Sequence, residues 1–273
     1  MGKDVLAVFG SASDSPVFER LMQSFREKGI KAELRICSAH RTAKMLEGIV
    51  SSSKARVIVA GAGLSAALPG VIASQTIKPV IGIPIENNYS GLDALLSVHQ
   101  MPPGIVVCGV GVNAAEKAAN AAALALKKHD SIKIIKNFES EKFEKKFLEM
   151  QGLLKQFEVK FEVAKETEKI QENEILINFV NLDSNQEPVS DCLAINVPLL
   201  EKDSAGDVSR LMEKTKKGLW VGLNRFENAA IASMGLIAVY NLELAERLLE
   251  QRKKASEKVI SADAEQSKKW KDF

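Results

Sequence analysis

The sequence predicts an α/β protein: a doubly wound parallel sheet, flavodoxin-like and three-layered (α/β/α), built as two tandem related domains. Three observations predict it. Residues 1–129 alternate short apolar runs with amphipathic stretches, five times over. Glycine clusters where those runs end, and 12 of the 17 glycines precede residue 130. The apolar pattern of the second half repeats that of the first.

The elements follow in order. Val5–Phe9 reads as a buried strand that ends in Gly10-Ser11-Ala12-Ser13-Asp14-Ser15-Pro16. Phe18, Leu21, Met22 and Phe25 then recur at helical spacing. Residues 32–36 form a second strand, and Met45, Leu46, Ile49 and Val50 give a second helix face. Residues 57–60 form a third strand, followed by a helix over about 65–75. Residues 79–83 and 105–108 read as two more strands, and 114–128 as a closing helix.

The second half starts again. Val5-Leu6-Ala7-Val8 aligns with Ile132-Lys133-Ile134-Ile135, and Ile30–Ile36 with Phe157–Val163 at the same offset. Ile83-Pro84-Ile85 resembles Val197-Pro198-Leu199, Ser90-Gly91-Leu92-Asp93 resembles Ala205-Gly206-Asp207, and Asn120-Ala121-Ala122-Ala123 resembles Asn228-Ala229-Ala230-Ile231. A duplication is expected: a working domain over 1–129, then a degenerate copy over 130–273. The copy proper reaches about residue 240, and a helix and tail follow.

Composition excludes several classes. The chain has 273 residues, 46% of them hydrophobic and 26% charged, as in soluble globular proteins. A net charge of +2 gives no bulk attraction to nucleic acid or to a membrane surface. Residues 1–129 carry 14 basic against 9 acidic side chains, and residues 130–273 carry 23 against 26. The three cysteines, Cys37, Cys108 and Cys192, are too far apart for a metal knuckle or disulfide framework, which fits a reducing cytoplasm. The apolar stretch 57–73 is interrupted by Gly61, Gly63, Pro69 and Gly70, so it reads as strand, loop and helix rather than a membrane span. Gly2 lacks the Ser or Thr at position 6 that myristoylation wants, and the N-terminus has no signal-peptide layout.

Three loops at strand ends could carry chemistry. In Gly10–Pro16, Pro16 suits the first helical position and Ser15 or Asp14 the cap. Free N–H groups there, with two serine hydroxyls, would hold a phosphate, and Asp14 could accept from a sugar hydroxyl. The same residues also suffice for a capped helix start with nothing bound. In Cys37-Ser38-Ala39-His40-Arg41-Thr42, an imidazole beside a guanidinium offers proton transfer and anion clamping. Ala60-Gly61-Ala62-Gly63-Leu64-Ser65-Ala66-Ala67-Leu68-Pro69-Gly70 is glycine-rich but matches neither the P-loop nor a dinucleotide fingerprint. Of the remaining candidates, Cys37 reads as a buried strand-end thiol, His99 as a surface or interface residue, and His129 as a junction residue without a function.

These motifs, with Pro79-Val80-Ile81-Gly82-Ile83-Pro84 and Gln100-Met101-Pro102-Pro103-Gly104, occur in an order that resembles the aminoimidazole ribonucleotide carboxylase and carboxyaminoimidazole ribonucleotide mutase family of purine biosynthesis. The resemblance covers residues 4–128, and Leu242–Ile260 resembles the family's last helix. It implies that His40 is the general acid and base. It also implies that Ser11, Ser13, Asp14, Ser38, Ala39, Arg41, Gly61, Ala62, Gly63 and Leu68 bind the ribonucleotide, with CO₂ as the other small molecule and no metal or organic cofactor. Mutase members usually carry His before Leu-Pro-Gly, where this chain has Ala67; carboxylase members usually carry Lys after the catalytic His, where this chain has Arg41. The expected activity is thus the mutase (an isomerase). Direct carboxylation with free CO₂ (a lyase) and a non-catalytic nucleotide-binding or scaffold paralogue are the alternatives. At the offset of the first repeat, Ser11 falls on Phe138, Asp14 on Glu141, His40 on Thr167 and Arg41 on Glu168, so the second half should have lost the site. The family's octamers imply a homotetramer for a fused pair.

Overall fold

The computed structural model describes residues 2–165 and 170–271. Thr167 and Glu168, the counterparts expected for His40 and Arg41, lie outside the described residues. The strands are β1 (Val5–Phe9), β2 (Ala32–Ile36), β3 (Val57–Gly63), β4 (Val80–Ile85), β5 (Cys108–Gly109), β6 (Ser131–Ile135), β7 (Lys160–Ala164), β8 (Glu174–Asn181), β9 (Ala194–Leu199) and β10 (Leu219–Trp220). The helices are α1 (Ser15–Glu27), α2 (Ala43–Ser52), α3 (Ala67–Gln75), α4 (Leu92–His99), α5 (Ala115–Ala125), α6 (Glu141–Gln156), α7 (Asp207–Lys214), α8 (Phe226–Ala238) and α9 (Leu242–Lys269).

The strands form one continuous sheet in the order β2-β1-β3-β4-β5-β10-β9-β8-β6-β7. Each half thus has the flavodoxin-like order 2-1-3-4-5, all parallel within itself. The halves meet antiparallel, with Trp220 opposite Gly109. β1 is buried along its whole length, which explains its unbroken apolar run. The outer edges, β2 and β7, are partly exposed and carry Glu33, Arg35, Lys160 and Glu162, charges that discourage further strand pairing.

One hydrophobic cluster runs under both halves, from Val5, Phe9 and Phe25 through Ile134 and Phe147 to Phe226 and Leu248. On the other face, α2, α3 and α4 cover the first half with Leu46, Ile72 and Val98. In the second half no helix intervenes between β7 and β9 among the described residues. A smaller cluster of Ile135, Leu176 and Ala194 is covered there by Val189 and Cys192 of the β8–β9 connection. The Asn178 amide donates to Asn196 Oδ1 (2.9 Å), and Asn196 Nδ2 donates to the Leu219 and Val189 carbonyls.

Several sequence expectations change. The strand expected over 105–108 is confined to Cys108–Gly109, because Asn228 Nδ2 reaches the Ile105 carbonyl (3.3 Å). The apolar pattern does not predict α4. This helix follows Tyr89, Ser90 and Gly91, all at positive φ, which hide its start from periodicity. α3 begins at Ala67 rather than 65, after Leu64 at φ 53°. His99 is not a surface residue: it is 1% exposed, its Nδ1 lies 2.8 Å from the Leu95 carbonyl, and burial pushes its pKa down to about 4. The single offset expected for the first two strands of each half fails as well. Val5 faces Ala32 but Ile132 faces Phe161, two residues further on. An even shift leaves the apolar phase intact, so the sequence could not show it. Asn228 does not correspond to Asn120. The matching residues are Asn113 and Asn224, both at φ 55°, whose backbone N–H groups donate to the Pro84 and Pro198 carbonyls. That equivalence sets Asn228 level with Lys117.

A methyl on Gly109 would sit 2.4 Å from His99 Nε2. The ring is held at Leu95 and cannot retreat. Gly109→Ala should therefore destabilise the protein by about 1–3 kcal/mol in chemical denaturation.

Candidate functional site

Three parallel strands end close together at one edge. Cys37 N–H donates to the Phe9 carbonyl (2.8 Å), which aligns the ends of β2 and β1, and Gly10 N–H donates to the Gly61 carbonyl (3.2 Å) of β3, which runs two residues further beside β4. The loops bearing all three sequence motifs therefore share the carboxyl edge of the first half, where open α/β sheets bind ligands.

After β1, the chain makes one 3₁₀ turn before α1. The cap of that turn is Ser11; Asp14 takes the N-cap position of α1 ahead of Pro16, as the sequence suggests, but makes no side-chain cap bond there. Ser11 Oγ accepts from Ser13 N–H (3.2 Å) and from the Ser13 hydroxyl (2.7 Å), while Ser11 N–H donates to Asp14 Oδ2 (3.1 Å). This reciprocal box turns the Asp14 carboxylate back from the start of α1 and leaves Asp14 5% exposed. Burial raises its pKa, and the Ser11 N–H bond opposes the rise.

After β2, the loop of residues 38–42 is a closed turn. Thr42 Oγ1 accepts from Ser38 N–H (2.9 Å) and donates to the Ser38 carbonyl (3.0 Å); Arg41 N–H donates to Ser38 Oγ (3.2 Å). Thr42 is thus a support of this loop, a role that no sequence signal marks. Cys37 is buried as expected, with Sγ 3.2 Å from Thr42 Oγ1. His40 and Arg41 are exposed, and Arg41 Nη2 reaches the Gly10 carbonyl (3.4 Å), drawing the second loop over the first.

β3 runs past the expected residue 60 to Gly63, so the first two motif glycines are strand residues, and packing leaves them little room for a side chain. A Cβ on Gly61 would sit 2.2 Å from the Phe9 ring, and one on Gly63 would sit 2.7 Å from Asn87 Nδ2. Ala62 and Leu68 are buried, so the backbone is what they present to a ligand. Asn87 brings in a fourth loop, residues 86–91, that is absent from the three sequence motifs. Leu64, Tyr89 and Ser90 around this edge all adopt positive φ, each at a cost of about 1–2 kcal/mol. Asn113 Oδ1 accepts from Glu86 N–H (3.0 Å) and anchors that loop. Gly111-Val112-Asn113 and Gly222-Leu223-Asn224 carry its sequence signal.

The edge of the second half is built differently. Phe138 packs edge-on against Phe143, Phe147, Phe179 and Phe226. Glu141 opens α6. A cavity of about 830 Å³ lies beside them, with Lys136, Lys165, Glu139, Asp183 and Glu201 in its lining. Among the described residues no group of three His, Cys, Asp or Glu converges, and no helix is long and apolar enough to cross a membrane.

Comparison with known proteins agrees with the motif order. A family model described as AIR carboxylase matches residues 4–146. The N5-carboxyaminoimidazole ribonucleotide mutase of Methanocaldococcus jannaschii is 46% identical over 144 residues, covering 52% of this chain and 91% of that protein. The mutase of Thermotoga maritima is 38% identical over 155 residues, covering 55% of this chain and 90% of that protein. A crystal structure of Treponema denticola PurE2-S38D aligns over 47% of this chain and 83% of that one, with 26% identity and a TM-score of 0.42.

Because burial raises the Asp14 pKa, the folded state binds that proton more tightly than the unfolded state does. Its stabilising contribution is therefore complete at low pH and is lost as pH rises from the ordinary carboxylate range through the raised value. Asp14→Asn keeps an acceptor for Ser11 N–H without the buried charge. Thermal unfolding above that window should show it at least as stable as wild type. If Asp14 binds a sugar hydroxyl, ribonucleotide affinity should fall about tenfold in calorimetry.

Proposed function

The chain belongs to the AIR carboxylase family, and we propose that it acts in purine biosynthesis as an N5-carboxyaminoimidazole ribonucleotide mutase, forming 4-carboxy-5-aminoimidazole ribonucleotide. The observation that carries this reading is the convergence of the 11–14, 38–42 and 61–63 segments on one strand edge, with Arg41 reaching across to Gly10. The names of the similar proteins favour carboxylate migration over direct carboxylation.

The roles follow from chemistry. Ser11 and Ser13 hold the phosphate through their hydroxyls, and Arg41 adds a cation to it. Asp14 accepts from the ribose. Ser38, Ala39, Gly61, Ala62, Gly63 and the Leu68 backbone close round the ring. The carbamate C–N bond breaks and releases CO₂, and the exocyclic amine takes a proton. The ring carbon then attacks the trapped CO₂ and loses its own proton, which restores aromaticity. His40 moves these protons. Holding CO₂ beside the nucleophile supplies effective molarity, which the crowded loop edge assists.

Residues 130–273 are read as a second, degenerate copy. The repeated strand order and the matched pair Asn113 and Asn224 support this. Phe138 in place of Ser11 supports the loss of its phosphate site. The assembly is a homotetramer. α9 is held to the first half as far as Arg252, which donates to the Ala73 and Thr76 carbonyls; beyond it Val259 and Ile260 are exposed, an apolar stripe that a neighbouring chain would cover.

Purified protein should convert N5-carboxyaminoimidazole ribonucleotide without added nucleotide, and His40→Asn should lower turnover about 10²–10⁴-fold. Turnover only of aminoimidazole ribonucleotide with bicarbonate would move the assignment to the carboxylase. Light scattering at micromolar concentration should give four chains; a monomer or dimer overturns the assembly.

A further inference from the structure

The segment Gln100–Gly104 belongs to the first half, yet the second half holds it. Asn228, in the first turn of α8, is 1% exposed. Its Oδ1 accepts from Gly104 N–H (3.0 Å), and its Nδ2 donates to the carbonyls of Pro102 (3.1 Å) and Ile105 (3.3 Å). One amide therefore satisfies three backbone groups of a loop that has no ladder partner, at Gly104, whose φ is +87°. At the other end of the segment, Gly222 comes close enough to the His99 carbonyl that a Cβ would sit 2.7 Å from it, and 3.1 Å from Gln100 Oε1. Between these two points Met101 lies on Gly70, with Sδ 3.2 Å and Cε 3.0 Å from where a Cβ would be. Gly70 is in α3, whose first turn follows the glycine loop of the site.

The opposite side of the seam has no such clamp. Gly111 approaches the Thr215 carbonyl as Gly222 approaches that of His99. Lys117 of α5, the residue level with Asn228, is exposed and lines a cavity with Lys217 and Gly218.

We propose that Asn228 is a positioning residue for the site of the first half, holding Gln100–Ile105 so that Met101 seats α3 and the 61–66 segment. The inference rests on the mutase reading. It also gives the second half a role, since that half then orders an edge of the working site. Asn228 touches no substrate; it acts through the loop.

The test compares Asn228→Ala and the isosteric Asn228→Asp with Asn178→Ala, a buried amide of the second half that bonds to Asn196 rather than to the loop. Three measurements are made on each full-length protein: melting temperature, kcat and KM for N5-carboxyaminoimidazole ribonucleotide, and amide exchange of residues 64–70 and 104. The Asn228 variants should lose about ten- to hundredfold in kcat/KM and lose protection in both segments. Asn178→Ala should lower the melting temperature but keep both properties. Wild-type kcat/KM and protection in the Asn228 variants would overturn the proposal. If wild type turns over no substrate, the mutase reading fails instead. Exchange then decides alone: unchanged protection at 64–70 in the Asn228 variants overturns the positioning role.

Discussion

The antiparallel contact of Gly109 with Trp220 joins two five-stranded arrays into one sheet. Each array alone would leave an inner edge of unpaired backbone groups, and joining them covers both at once. The contact depends on close approach. Gly109 makes room for the His99 ring, while Gly111 and Gly222 admit the carbonyls of Thr215 and His99. Trp220 fills the other side of the seam and donates from Nε1 to the Lys217 carbonyl (2.6 Å). Leu95, Leu182, Leu200 and Leu211 pack where α4 approaches α7. The Gln100–Gly104 segment starts at this seam, so the geometry of the join passes into the working half.

At the carboxyl edge the protein accepts local costs in return for chemistry. Asp14 is a buried carboxylate whose pKa is pushed up. Leu64, Tyr89 and Ser90 hold left-handed backbone conformations beside it. These features are tolerated because β1, β3 and β4 beneath them are almost wholly buried. A rigid floor under strained loops would suit the proposed carboxylate migration, which needs its reacting groups held in fixed register.

The two halves divide this work unequally. The first keeps two helices, α2 and α3, and with them the connections that carry its motifs. The second has an irregular β8–β9 connection, and an aromatic cluster around Phe138 and Phe179 at its edge. What it shares with the first is the strand order and an Asn, Asn224, in the left-handed conformation of Asn113, and its helix α8 is buried nearly all round. α8 touches the first half through Asn228 and through Gly235, which lies against the Ile77 carbonyl.

The chain order of most strands and helices, the three motif loops of the site and the family resemblance are all legible in the sequence. Each depends on residues adjacent in the chain: apolar periodicity, Ser-Ala-His-Arg after a strand, Leu-Pro-Gly after a glycine loop. α4 is hidden because its start is set by positive backbone angles rather than by periodicity. Ser11 as the cap of the turn before α1, Thr42 as the lock of the His40 loop and Asn87 beside Gly63 are also hidden, since each is chosen by a neighbour's geometry. His99 reads as a surface or interface residue because one histidine in a helix has no sequence mark of full burial. Only the tertiary structure decided that the two halves share one sheet and one core, and that Asn228 serves a loop 124 positions away. The physical reason is range. Local propensity writes elements and motifs, whereas the pairing of Gly109 with Trp220 and the burial of Asn228 exist only once distant segments pack together.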